Sequence, residues 1–184
     1  MVADALVYSP THPEYDYAVL RDLNDRVVGA LGLPFGLTHA EYKWTGAEFQ
    51  LVEIAARGGG TCVTSHLVPA LTGVEPYPLY LSAALGELPP LPRASLGRCG
   101  ALDFLHFLPG RVQSVEGLES VRAMPGILNV GLNYVAGEVI PEPTDANNRA
   151  GYCLAVADTR AELDELRNQV RETVSVNYED IHAD

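Results

Sequence analysis

Val19, Leu20, Leu23, Val27, Val28 and Leu31 recur at helical spacing, with Arg21, Asp22, Asp25 and Arg26 on the other side of the cycle. That period predicts an amphipathic helix over Tyr15–Leu33, ended in the region of Gly32. The pattern then changes. Two β-rich runs, Leu37–Trp44 and Phe49–Ala56, flank Thr45-Gly46-Ala47, which is the arrangement of a hairpin. The glycine loop Gly58–Gly60 follows, and Val63–Leu71 reads as a short helix stopped at Thr72-Gly73. Residues 1–15 are interrupted by proline and read as a lead-in from something upstream.

Leu85–Pro92 carries three prolines and a glycine, and marks the boundary between two subdomains, residues 1–84 and 93–184. Beyond it come the stretch Arg98–Leu108, a turn at Pro109-Gly110, a helical piece near Leu118–Ala123 and a second turn at Pro125-Gly126. Ile127–Val135 and Gly151–Val156 read as strands, and Asp158 or Thr159 caps a charged helix running to about Val174. The second half is thus expected to be a small α+β unit of antiparallel strands with helices on one face.

Composition narrows the function. Hydrophobic residues make up 47% of the 184 and charged residues 20%, the balance of a globular chain. The net charge of −12 repels phosphate backbones and anionic lipid, which argues against nucleic-acid and membrane-surface binding. Three scattered cysteines (Cys62, Cys99 and Cys153) show neither metal-ligand spacing nor a disulfide framework, as expected in a reducing cytoplasm. No apolar run reaches the roughly 18 residues of a membrane span.

The hairpin carries the candidate chemistry. Glu41 and Glu53 are symmetric about Ala47, so a turn there places them directly opposite, with His39 facing Ala55 and Lys43 facing Leu51. Opposed Cβ atoms lie about 4.5–5.5 Å apart, and two carboxylates at about 5 Å repel by roughly 3 kcal/mol at an effective dielectric of about 20. A proton, a lysine or a divalent cation would relieve that repulsion, and Mg²⁺ is commonly held by one or two carboxylates. A register shifted by one residue, or glutamates turned to water on an open sheet face, would remove it altogether. Counting by two from Glu53 carries Arg57 to the same face, where its guanidinium fork matches phosphate or carboxylate oxygens. Gly58, Gly59 and Gly60 permit positive φ and a close backbone approach, so their N–H groups can cradle an oxyanion.

These residues resemble the C-terminal portion of an ATP-grasp carboxylate–amine ligase, of the branch that includes L-amino acid ligases, biotin carboxylase and carbamoyl-phosphate synthase. The likeness is carried by Gly36-Leu37-Thr38-His39-Ala40-Glu41, by Leu51-Val52-Glu53-Ile54-Ala55-Ala56-Arg57-Gly58-Gly59-Gly60 and by Ala70-Leu71-Thr72-Gly73-Val74. It continues more loosely through Pro109–Val112, Met124–Ile127 and Asn148–Gly151. The resemblance implies an α+β fold: the antiparallel sheet half of an ATP-grasp fold followed by a small α+β C-terminal subdomain. It further implies ATP and Mg²⁺ (or Mn²⁺) as cofactors, with Glu41 and Glu53 as metal ligands. Arg57 would neutralise the transferring phosphoryl group, and Gly59 and Gly60 would offer N–H groups to the tetrahedral intermediate. The partners would be small carboxylate and amine substrates.

Two departures stand out. Many relatives carry an asparagine two residues after the second glutamate, where this chain has Ala55. The lysines of the nucleotide-binding half are also absent, since the chain has a single lysine, Lys43. Half an active site is therefore expected, completed by an N-terminal half on the same natural chain or on a partner, with a homodimer as one way to cover the exposed face. A non-catalytic interaction or regulatory domain of the same ancestry is the competing reading. His39 and Arg149 are candidate substrate contacts, against the plainer readings of a packed histidine and a solvated loop arginine. The helix Arg160–Arg171 reads as a solvated face.

Overall fold

The computed structural model describes residues 4–87, 95–142, 144 and 148–179. The chain forms two compact units, Ser9–Leu96 and a second made of Gly97–Asp184 together with Met1–Tyr8. Part of the proline-rich stretch read as a boundary, residues 88–92, lies outside the described residues.

In the Ser9–Leu96 unit, α1 (Tyr17–Leu31) starts where the Asp16 side chain accepts a hydrogen bond from the Ala18 N–H at 2.8 Å. It ends at Gly32, in the left-handed region at φ 63°. Leu20, Leu23, Val27 and Val28 form its partly buried stripe. Val19 and Leu31, which the periodicity also placed there, are 58% and 47% exposed. Strands β2 (His39–Trp44) and β3 (Phe49–Ala55) make a two-stranded antiparallel sheet tied to α1 by a 3.1 Å hydrogen bond from Tyr42 Oη to Asn24 Oδ1. Tyr15 packs edge-on against Phe49, with Trp44 beside it, at the turn end of the hairpin. The short helix read over Val63–Leu71 is a π-helical turn, Val63–Leu67, running into α2, Val68–Thr72, and closed by Gly73 at φ 69°. Helix α3 (Pro76–Ala84) follows, with Pro76 and Pro78 in its first turn, where no intrahelical N–H is needed.

The second unit is built on a four-stranded antiparallel sheet in the order β1-β4-β8-β6. Its strands are Ala5–Tyr8, Cys99–Leu105, Gly151–Ala157 and Ile127–Leu132. Residues 1–15, read as a lead-in, thus contribute an edge strand. A three-stranded sheet combines β5 (Gly110–Glu116) with β7 (Val139–Ile140) and β9 (Ser175–Tyr178). Helix α4 (Leu118–Arg122) packs beside β6. Helix α5 (Arg160–Thr173) lies against β4 and β8. Thr159 caps it through a reciprocal pair of bonds with Glu162, and Asp158 instead pairs with Arg98 at 3.3 Å. Leu102, Leu154 and Leu163 are essentially inaccessible to water.

Helix α5 is not a solvated face throughout. Asp103, buried in the middle of β4, receives Arg167 Nε at 2.6 Å and a second Arg167 nitrogen at 2.8 Å. Arg171 adds a third contact to the same carboxylate at 2.7 Å. Arg167 also reaches Asp164, 2.8 Å away. Burial opposes the charge on Asp164, but hydrogen bonds from Arg160 and Arg167 outweigh it and hold this carboxyl below its usual range. Burial, with Asp103 nearby, pushes the Cys153 thiol up to about 12. No helix among the described residues is long and apolar enough to cross a membrane.

Removing one partner of a buried, bidentate pair leaves the other charge uncompensated, at a cost of about 3–5 kcal/mol. Asp103→Asn should lose that much in chemical denaturation, whereas Arg171→Ala, at the half-exposed end, should lose less than about 1 kcal/mol. A colorimetric thiol assay on the folded protein at pH 8 should label Cys62 alone quickly, because Cys99 and Cys153 are buried and Cys153 stays protonated at that pH.

Candidate active site

The hairpin turn fixes the first half of the register. Thr45 N–H donates to the Glu48 carbonyl at 3.1 Å, Glu48 N–H returns to Thr45 Oγ1 at 3.2 Å, and Gly46 supplies φ 94°. Trp44 then faces Phe49, Lys43 faces Gln50 and Tyr42 faces Leu51. The expected pairing of Lys43 with Leu51 does not occur. Continued unbroken, this register would set Glu41 against Val52 and Glu53 against Ala40, with the carboxylates on opposite faces. A bulge between Tyr42 and Glu41 intervenes. It leaves Val52 without a cross-strand partner and 65% exposed, and beyond it Glu41 faces Glu53, Ala40 faces Ile54 and His39 faces Ala55. The extra residue is what brings the two acids together.

The surroundings of the pair are open. The Glu41 side chain is 60% exposed, Glu53 is exposed, and His39 Nε2 lies 3.5 Å from Glu41 Oε1. Among the described residues no lysine or arginine is ion-paired with either glutamate, and no three His, Cys, Asp or Glu side chains gather as a metal cluster. Two carboxylates on one strand pair nevertheless match what Mg²⁺ asks of a protein, the remaining positions being left to water and phosphate oxygens. At such exposure the mutual repulsion is about 1 kcal/mol or less.

Strand alternation stops at Ala55, before it can aim Arg57. The Arg57 guanidinium instead donates to the neighbouring Gly58 carbonyl at 3.0 Å. The glycine loop also departs from expectation, because the left-handed residues are Thr61 (φ 47°) and Cys62 (φ 60°), not the glycines. Gly58 and Gly59 are needed for space, whereas a Cβ on Gly60 would meet nothing within 4 Å. A Cβ on Gly58 would lie 2.6 Å from Thr64 Oγ1, and one on Gly59 would lie 3.2 Å from His39 Nδ1 and 3.3 Å from Val63 Cγ1. Thr64 Oγ1 donates to the Gly59 carbonyl at 3.2 Å, and the Gly60 carbonyl accepts from the Val63 N–H at 3.0 Å. Sequence reading missed the constraint from Thr64, a buried polar residue that ties the loop to the turn following it. The only signal was its position six residues after Gly58.

Arg149 belongs to the other unit. Its guanidinium stacks over the Phe104 ring at 3.4 Å, and burial lowers its pKa, so it is no solvated loop arginine.

Residues 103–179 match the family described as L-amino acid ligase C-terminal domain 2. A protein of Sinorhizobium fredii described as uncharacterized protein y4rH is 27% identical over 175 residues, covering 94% of this chain and 36% of its own length. The L-amino acid ligase from Bacillus licheniformis superimposes with a TM-score of 0.80 at 19% identity, over 98% of this chain and 45% of that one. Phosphoribosylglycinamide synthetase from Anaerococcus prevotii gives 0.78 at 15% identity, over 97% of this chain and 46% of that one. This chain therefore spans less than half the length of these relatives.

A side chain at position 58 would overpack the loop against Thr64, which costs about 1–3 kcal/mol. Gly58→Ala should lose that in thermal unfolding, and the double variant with Thr64→Ala should lose less than the sum of the two single changes.

Proposed function

Because the chain has the fold of the C-terminal portion of ATP-grasp carboxylate–amine ligases, we propose that it is the metal- and phosphate-facing half of an ATP- and Mg²⁺-dependent ligase. The complete enzyme would move the γ-phosphoryl group of ATP to a carboxylate oxygen, releasing ADP and forming an acyl phosphate. An amine nitrogen would then attack the acyl carbon, phosphate would leave with the electron pair of the broken C–O bond, and the nitrogen would lose a proton as the amide forms. The observation that carries this reading is the bulge that sets Glu41 against Glu53.

Bound there, Mg²⁺ or Mn²⁺ would supply charge neutralisation for the β- and γ-phosphates. Glu41 and Glu53 hold the negative charge that selects a hard cation. Arg57 can leave its exposed contact with the Gly58 carbonyl at little cost and turn to an oxyanion, a role suited to its permanent charge. Gly59 and Gly60 keep the backbone free of side-chain bulk where an acyl oxyanion would approach. The contribution of this half is positioning and electrostatics. Adenine binding falls to the partner half, the chain having one lysine and less than half the length of the relatives it resembles. Large apolar residues left in water in the Ser9–Leu96 unit, such as Val52, Leu81 and Leu85, fit a surface that another half covers.

A non-catalytic domain of the same descent is the second reading. It is favoured by Ala55 at the position of the family's asparagine and by the engagement of Arg57 with its own loop. The two readings part on chemistry. Mixed with a separately produced N-terminal half from a related ligase and ATP, the chain should release ADP in the presence of amino-acid pairs, and Glu53→Gln should abolish that release. No release with any pair would favour the second reading. In sedimentation the isolated chain should dimerise at high concentration through its apolar surface, and a monomer throughout would count against that surface being a binding face.

A further inference from the structure

We propose that His39 is the positioning residue of the paired carboxylates, holding Glu41 in place across from Glu53, and that position 59 is glycine because the imidazole, together with Val63, occupies the space a side chain would need. The inference rests on the reading of Glu41 and Glu53 as cation ligands, and concerns how they are held.

His39 stands two residues before Glu41 on β2, on the same face, with its Nε2 3.5 Å from Glu41 Oε1. The two side chains are unequally anchored, His39 being 32% exposed and Glu41 60%. On the ring's other side stands the glycine loop. A Cβ on Gly59 would meet His39 Nδ1 at 3.2 Å, tighter than ordinary contact, so the imidazole lies between the glycine loop and the carboxylate. Its cross-strand partner is Ala55, the smallest side chain that keeps strand geometry, which leaves the ring its room. Residue His39 also borders a cavity of about 380 Å³ between α1 and β2, with Arg21, Asn24, Asp25 and Tyr42 among its other walls. One imidazole thus connects the loop, the hairpin and the acid.

An exposed glutamate on a two-stranded sheet is otherwise free to adopt several rotamers, most of which separate it from its neighbour. A partner that restricts one carboxylate lowers the ordering cost of cation capture, as groups behind metal ligands do when their loss reduces affinity about 10–100-fold. A merely packed histidine would contribute to stability and leave ion affinity unchanged.

The test uses the full chain with Mn²⁺ as probe, free ion being read by electron paramagnetic resonance. The wild type should bind, Glu41→Gln should not, and His39→Ala should bind about tenfold more weakly. His39→Gln should regain most of the loss, since its side-chain amide can reach the same carboxylate oxygen, and Gly59→Ala should weaken binding by displacing the ring. The His39 ring carbon resonance should move on addition of Mg²⁺ in the wild type and stay fixed in Glu41→Gln. Equal affinity in wild type and His39→Ala, with Glu41→Gln inactive in binding, would overturn the positioning role and leave the cation site standing. No Mn²⁺ binding by the wild type would remove both.

Discussion

One extra residue in one strand decides what this hairpin can do. The turn at Thr45–Glu48 sets a register that would scatter the two acids onto opposite faces, and the bulge at Val52 resets it so that they oppose one another. Such a pairing works against the stability of a small exposed sheet. It is maintained because the turn bonds and the Trp44–Phe49 pair secure one end, while Tyr42 ties the middle of β2 to α1. Everything proposed for the site follows from that enforced proximity: a cation to relieve it, a phosphate chain to share the cation, and a histidine to hold one acid in place.

The two units answer to different physics. In the unit containing β4 and β8, seven successive buried residues of β4 and the Asp103–Arg167–Arg171 cluster make a well-filled interior. Among its described residues the Ser9–Leu96 unit buries few, Thr64, Leu67, Leu71 and Pro76 being examples, and α1 has none that is fully buried. The proposed chemistry is thus assigned to the less consolidated unit.

Much of this was legible in the sequence, for identifiable reasons. The long helices have strong periods and clear ends, Gly32 for α1 and the Thr159–Glu162 box for α5. The hairpin has alternation and a turn glycine. The Glu41–Glu53 pairing was anticipated from a symmetry about Ala47 that holds only beyond the bulge; nearer the turn the centre lies elsewhere, which is why Lys43 meets Gln50 and not Leu51. The short strands β1, β7 and β9 escaped notice because their pairing is long-range and four residues or fewer carry no period. Helix α3 escaped because two prolines in a first turn look like a loop. Asp103 was hidden because nothing local reveals that a carboxylate in a strand will meet arginines some sixty residues later. Arg57 was misaimed by extending strand alternation two residues past the strand's end, and the left-handed conformation fell on Thr61 and Cys62 where the neighbouring glycines had seemed the natural place for it.

The central claim is that the opposed carboxylates are a liability by themselves and an asset with a cation. Thermal unfolding of the wild type and of Glu41→Gln, each followed across a range of Mg²⁺ concentrations, tests it directly. Without the ion the variant should melt at the higher temperature, since it has lost the repulsion. With rising Mg²⁺ the wild type should gain stability as mass action requires and overtake a variant that does not respond. A variant that stays above the wild type at every concentration, with both equally indifferent to the ion, would contradict the account.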